Sequence, residues 1–293
     1  MGNKQTITIA AKSDKPLTVK RLGYGTMRLT GEGIYGEPKN RPEALQILKK
    51  AVSSGVNFLD TADYYGEDVT NRLIAEALYP YPAGLTICTK VGGARKPDKS
   101  WISFNRPENL RASIDNNLKT LKLEQMALVH FRVIGGTGVP FEESVATMFE
   151  LQKEGKILHV GVSNVSEAEL TKAMEMGNIA TVENMYGHGQ RTTVKMAYGE
   201  NKGGAEVLDI CERNEIPLIP YFSLFNSLSK HDNRIATVAQ KYNATEAQVN
   251  IAWLLHRSPW ILPIPGTSSL NHFEENLKSA SLELTGEDMA FLE

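Results

Sequence analysis

The stretch NFLDTADYYG, Asn57 to Gly66, decides how the chain is read. Phe58 and Leu59 lead into an acid, Asp60, then Thr61-Ala62, and Tyr65 and Gly66 follow shortly after. This reads as a short buried strand that ends in a loop, with a carboxylate at the strand tip and a phenol just beyond it. An acid in an apolar strand is costly without a cationic or donor partner. The rest of the chain is expected to supply one.

Working outward, short apolar runs alternate with helical patterns along the whole chain. The opening alternation Thr6-Ile7-Thr8-Ile9 and Leu17-Thr18-Val19, with a polar turn between, predicts a hairpin. Runs at 19–27, 57–62, 85–91 and 126–133 precede helical patterns at 42–54, 69–78, 107–121 and 141–154. Runs at 157–163, 179–186, 217–224 and 260–264 precede helices at 167–176, 205–213, 235–242 with 246–255, and 270–280. Pro42 suits a first helical turn, Ser166 an N-cap, and Gly155 and Gly177 helix stops. Eight strand–helix units without a linker predict one domain over 1–293, an α/β (β/α)8 TIM barrel with an N-terminal β-hairpin. An open doubly wound sheet would need a G-x-G-x-x-G turn. Gly23-Tyr24-Gly25 lacks the third glycine, and no helix starts there.

The composition is that of an ordinary globular chain of 293 residues with a formal charge of −2. Such a charge offers no basic field for nucleic acid or an anionic membrane, so a small-molecule partner is expected. The first sixteen residues do not form a signal peptide, and no window reaches the length of a membrane span. Cys88 and Cys211 lie in apolar runs and read as buried free thiols in a reducing, cytoplasmic compartment.

In a barrel of this kind the reactive groups stand at the C-terminal strand ends. There the chain offers Asp60 with Tyr65, then Lys90, His130, Ser163-Asn164, Glu183, the segment Tyr221 to Leu224, and Pro265-Gly266-Thr267. Lys90 is the expected partner of Asp60. An ammonium beside a phenol lowers the phenol's pKa, which would make Tyr65 a proton donor near neutral pH. His130 would hydrogen-bond a substrate oxygen as charge develops on it. Alone, these residues read more readily as a wall tyrosine, a solvated or structurally paired lysine and a core histidine. Their conjunction on consecutive strand ends favours chemistry.

These motifs resemble the aldo-keto reductase family over nearly the whole chain. DTADYYG, TKV and VHFRV match that family's catalytic tetrad at Asp60, Tyr65, Lys90 and His130. GVSNV implies that Ser163 and Asn164 hold a nicotinamide carboxamide, with Glu183 alongside. IPGTSSLNHFEEN implies an adenosine-binding segment through Gly266, Thr267, Ser268, His272, Glu275 and Asn276. The resemblance also implies cofactor contacts at Gly25, Thr26, Met27 and Asp60. It implies a ring stacked on the nicotinamide at Tyr221 and a pyrophosphate loop of Phe222, Ser223 and Leu224, with Lys230 read equally as an added charge there or as a solvated side chain. RLGYGTMRLTGEGIYGEP, VTNRLIAEALYPY and LLHRSPWILPIPGTSS resemble the branch containing pyridoxal reductases.

The implied reaction is NAD(P)H-dependent reduction of an aldehyde or ketone to an alcohol, pyridoxal to pyridoxine in that branch, with Tyr65 giving the proton and no metal involved. Tyr65, Trp101 and His130 would line the substrate pocket, shaped by the loops 92–106 (with Phe104) and 187–203. An alternative is a low-turnover cofactor-sensing subunit on the same barrel. Two departures stand out. Glu183 replaces the family's usual Gln, and a carboxylate accepts from the carboxamide without donating to it. Gly266 and His272 replace the Lys and Arg that grip a 2′-phosphate in many members. NADP is therefore expected through Thr267, Ser268 and the helix N-terminus that follows, with NAD the alternative. Arg72 stands where a Glu is common.

Overall fold

The computed structural model describes residues 5–135, 139–196, 199–224 and 232–293. Strands β1 (Thr6–Ile9) and β2 (Leu17–Lys20) form the expected antiparallel hairpin, with Thr6 opposite Lys20 and Ile9 opposite Leu17. Its alternation turns Ile7, Ile9 and Val19 inward. There they pack with Phe58, Cys88, Leu128, Ala180, Ile219 and Leu262 and close one end of the barrel.

Next come β3 (Tyr24–Gly25), helix α1 (Arg41–Ser53), β4 (Phe58–Asp60), α2 (Val69–Leu78) and β5 (Thr86–Val91). A small hairpin, β6 (Gly93–Arg95) and β7 (Trp101–Ser103), precedes α3 (Pro107–Thr120), β8 (Met126–Arg132), α4 (Phe141–Lys153), β9 (Ile157–Ser163), α5 (Glu167–Met176) and β10 (Ile179–Glu183). A second hairpin, β11 (Val194–Met196) and β12 (Gly199–Asn201), leads to α6 (Gly204–Asn214), α7 (Arg234–Lys241), α8 (Glu246–Arg257), α9 (Leu270–Lys278) and α10 (Gly286–Leu292). The Ser166 N-cap is completed by Glu169 in a capping box.

Six strands run parallel in the order β10-β9-β8-β5-β4-β3. Single parallel bridges from Leu218 to Val182 and to Ile261 continue the ring. Gly23 N–H, just before β3, donates to Pro263 O at 2.9 Å, which joins the last segment to the first. Three expectations are corrected here. The runs at 217–224 and 260–264 keep their places but are not continuous strands, because Pro217, Pro220, Pro263 and Pro265 remove ladder donors. The run at 19–27 is divided between β2, β3 and a short 3₁₀ turn over Met27–Leu29. The two small hairpins and α10 were not foreseen.

Register sets the site. Asp60 pairs with Cys88, Leu128 with Cys88, and His130 with Lys90. Residues two apart share a face, so a lower apolar layer of Phe58, Cys88 and Leu128 gives way to an upper polar layer of Asp60, Lys90 and His130. Arg132 stands one pleat nearer the mouth.

Candidate active site

Asp60 ends β4, and its carbonyl accepts from both the backbone N–H and the hydroxyl of Thr26 at 2.9 Å. Lys90 Nζ donates to both Asp60 oxygens, at 2.6 and 2.7 Å, and to Thr61 O at 3.1 Å. Glu183 Oε1 lies 3.3 Å from the same ammonium. All three side chains are buried. Burial opposes the Lys90 charge, but Asp60 and Glu183 outweigh it and hold its pKa well above the usual lysine range. Burial and the charge of Glu183 push Asp60 up. Burial also acts to raise Glu183, yet the charge of Lys90, with that of Arg132, holds it down. The two carboxylates share one ammonium, and the first proton to bind belongs to the pair.

Tyr65 is set by a turn in which its N–H donates to Ala62 O at 3.1 Å. Gly66, at φ +66°, passes where a Cβ would stand 2.8 Å from Gly36 O, so only glycine fits. The Tyr65 ring lies 5.1 Å from Lys90 Nζ and edge-on to Tyr64 at 5.4 Å. No described residue hydrogen-bonds its hydroxyl. The sequence predicted a phenol with a lowered pKa. Instead burial raises it, and Lys90, whose donors go to Asp60 and Thr61, does not offset that. Tyr65 is therefore held as the neutral phenol.

His130 is a second correction. Its ring is fully buried, with Nε2 2.7 Å from Thr181 Oγ1 and Nδ1 3.1 Å from Glu183 Oε2, an approach not aligned as a hydrogen bond. Burial lowers its pKa, so it is the neutral imidazole. Gly161 makes this seat possible, since a Cβ there would come within 2.4 Å of His130 Cδ2. The wall position expected for His130 is taken by Arg132.

Above this layer opens a cavity of about 580 Å³, within the range of small-molecule sites. Asp60, Tyr65, Glu183, Arg132 and Asn164 line its inner part with Tyr64 and Trp101. Gly25, Met27, Arg28, Tyr221 to Leu224 and Gly266 line the outer part. Both pocket-shaping loops contribute, through Trp101 and through Met196, Glu200 and Asn201, whereas Phe104 stays off the wall. Thr26, Ser163, Thr267, Ser268, His272, Glu275 and Asn276 also lie outside the lining. Thr26 is turned to β4, Thr267 O accepts from the Tyr24 hydroxyl at 2.6 Å, and Asn276 is buried. Asn164 is fully engaged: Nδ2 donates to Val133 O and Glu200 O, while Oδ1 accepts from Lys202 N and the Tyr221 hydroxyl. Lys230 lies outside the described residues. Arg132 and Arg28 were missed. For Arg132 the signal was available, since it sits two residues beyond His130 on one strand.

Residues 21–293 match the aldo/keto reductase family, and the chain belongs to it. It is 37% identical to pyridoxine 4-dehydrogenase of Escherichia coli, over 99% of this chain and 98% of that one. It is 34% identical to an uncharacterized oxidoreductase of Schizosaccharomyces pombe, over 94% and 87%. Among solved structures, a thermostable aldo-keto reductase in complex with the inhibitor epalrestat superposes with a TM-score of 0.82 at 26% identity, covering 99% and 98%.

Proposed function

We propose that this protein reduces an aldehyde or ketone to the alcohol with NADPH, that Tyr65 gives the proton, and that pyridoxal is a substrate. The observation that carries the reading is that the neutral Tyr65 phenol lines the cavity with its ring 5.1 Å from Lys90 Nζ in a buried Asp60–Lys90–Glu183 cluster. The roles of Asp60, Tyr65 and Lys90 rest on this geometry and on family membership. Pyridoxal is suggested by the 37% identity to pyridoxine 4-dehydrogenase.

The wall suits an extended dinucleotide. Tyr221 presents an aromatic ring, Gly25 and Gly266 leave bare backbone at the rim, and the Arg28 side chain adjoins Gly266. When bound, the nicotinamide supplies the hydride. The chain's own part is electrostatic. Burial keeps the Tyr65 proton in place at neutral pH, and the Lys90 ammonium favours the phenolate that donation leaves. Asp60 fixes that ammonium, and Trp101 and Tyr64 keep the reacting face apolar.

The test is steady-state oxidation of NADPH and NADH with a panel of aldehydes that includes pyridoxal. Tyr65→Phe is expected to lower kcat on the order of a hundredfold or more while NADPH binding, read by fluorescence, persists. Full turnover by that variant overturns the assignment of Tyr65. No turnover of any carbonyl by the wild type overturns the reaction.

A further inference from the structure

Arg132 is a part-buried cation on the cavity wall with most of its donors unspent. Nη1 donates to Ser163 Oγ at 3.1 Å, and the guanidinium lies over the Tyr221 ring at 4.6 Å. Among the described residues no carboxylate pairs with it: Asp60 is held by Lys90, and Glu183 sits between Lys90 and His130. A guanidinium carries five N–H donors in a planar fork, so all but one point to no protein acceptor. A part-buried guanidinium with free donors is a ready partner for an anion, and the open side of Arg132 faces the cavity. Its charge also acts on Tyr65, Tyr64 and Glu183, which places it beside the proposed proton donor.

We propose that Arg132 is a specificity residue that grips an oxyanion on the substrate, so that the preferred carbonyl compounds carry a phenolate or carboxylate near the reducible group. This rests on the carbonyl-reductase reading and narrows its substrate class. Pyridoxal fits, because the hydroxyl on its ring next to the aldehyde ionises readily. The guanidinium fork suits a carboxylate or phenolate better than a neutral group, and Tyr221 behind it fixes the plane in which the anion is met.

Two matched pairs separate the anion types: pyridoxal against its 3-O-methyl ether, and 3-carboxybenzaldehyde against its methyl ester. The wild type is expected to show at least a tenfold higher kcat/KM for the anionic member of one pair or both. Arg132→Met is expected to bring that ratio to near unity, with Arg132→Lys intermediate; Arg132→Gln replaces the Met variant if melting shows the latter misfolded. Absence of an anionic preference in the wild type overturns the proposal, as does its survival in the neutral variant. Loss of NADPH affinity with the substrate ratio unchanged also overturns it and assigns Arg132 to the cofactor. If the wild type turns over no carbonyl, the carbonyl-reductase reading fails, and the oxyanion site is read by calorimetry with isophthalate. Binding by the wild type that Arg132→Met abolishes supports the site, and no binding by the wild type overturns it.

Discussion

Asp63 stands three residues beyond Asp60, yet it has no lysine. Its side chain is 9% exposed, and Oδ1 has no hydrogen-bond partner. Burial pushes its carboxyl up to about 7, against smaller lowering by a hydrogen bond from Ser113. The unfolded chain releases this proton near pH 4. Between about pH 4 and 7 the folded state therefore holds a proton that the unfolded state has lost, and stability falls as pH rises through that window. Asp63→Asn removes the titration. It is expected to melt like the wild type at pH 4 and to be more stable at pH 8, by on the order of 4 kcal/mol at most. Scanning calorimetry at the two pH values checks this, and a difference independent of pH would refute it. The same comparison shows what a residue's identity reveals. That Asp60 needed a cation was legible in the sequence, and Lys90 could be named. That Asp63 would be buried without a cation was not, because side-chain direction in a turn carries no period.

Elements with a clean period were legible almost to the residue. Helices α2 and α5 and strand β9 have the expected bounds, because their apolar spacing is regular and, in α5, the Ser166 cap agrees with it. The arc formed by 217–224 and 260–264 was legible only in place, since its prolines withhold the donors that make a strand. Long-range hydrogen bonds replace the ladder there, and Arg21 supplies several. Its buried guanidinium donates to Leu255 O near the C-terminal end of α8, to Ser258 O at 2.6 Å, and to Ile261 O. One side chain thus ties the start of β3's segment to the end of a helix and to the final arc. Arg21→Met leaves those carbonyls without their donor. Hydrogen bonds to charged groups are worth about 1.5–3 kcal/mol, so urea unfolding is expected to show a loss of about 3 kcal/mol. An unchanged midpoint would mean that water replaces the arginine freely.

At the scale of the whole molecule, the site is a consequence of closure. The hairpin β1–β2 fills one end with apolar side chains, and the parallel register lifts charged groups toward the other. Alternation along the strands predicted this layering. It did not predict which polar residue reaches the wall, because that depends on Gly161 opposite His130, a contact across strands. The cavity wall runs from β3 at Gly25 through β10 at Glu183 to the bridged arc at Tyr221 and Gly266. A ligand seated along it would join the continuous sheet to the arc with the fewest ladder bonds, and so stabilise the whole barrel. A ligand at a hundred times its Kd adds about 2.7 kcal/mol, which for a chain of this length is a rise in Tm of roughly 4–5 °C. NADPH is expected to give the larger shift at equal concentration, with Arg28 beside Gly266 available to the extra phosphate. Arg28→Met should then narrow the gap between NADPH and NADH. Equal shifts from both in the wild type would mean that the extra phosphate is not recognised, and a shift from neither would remove the cavity from consideration as a dinucleotide site.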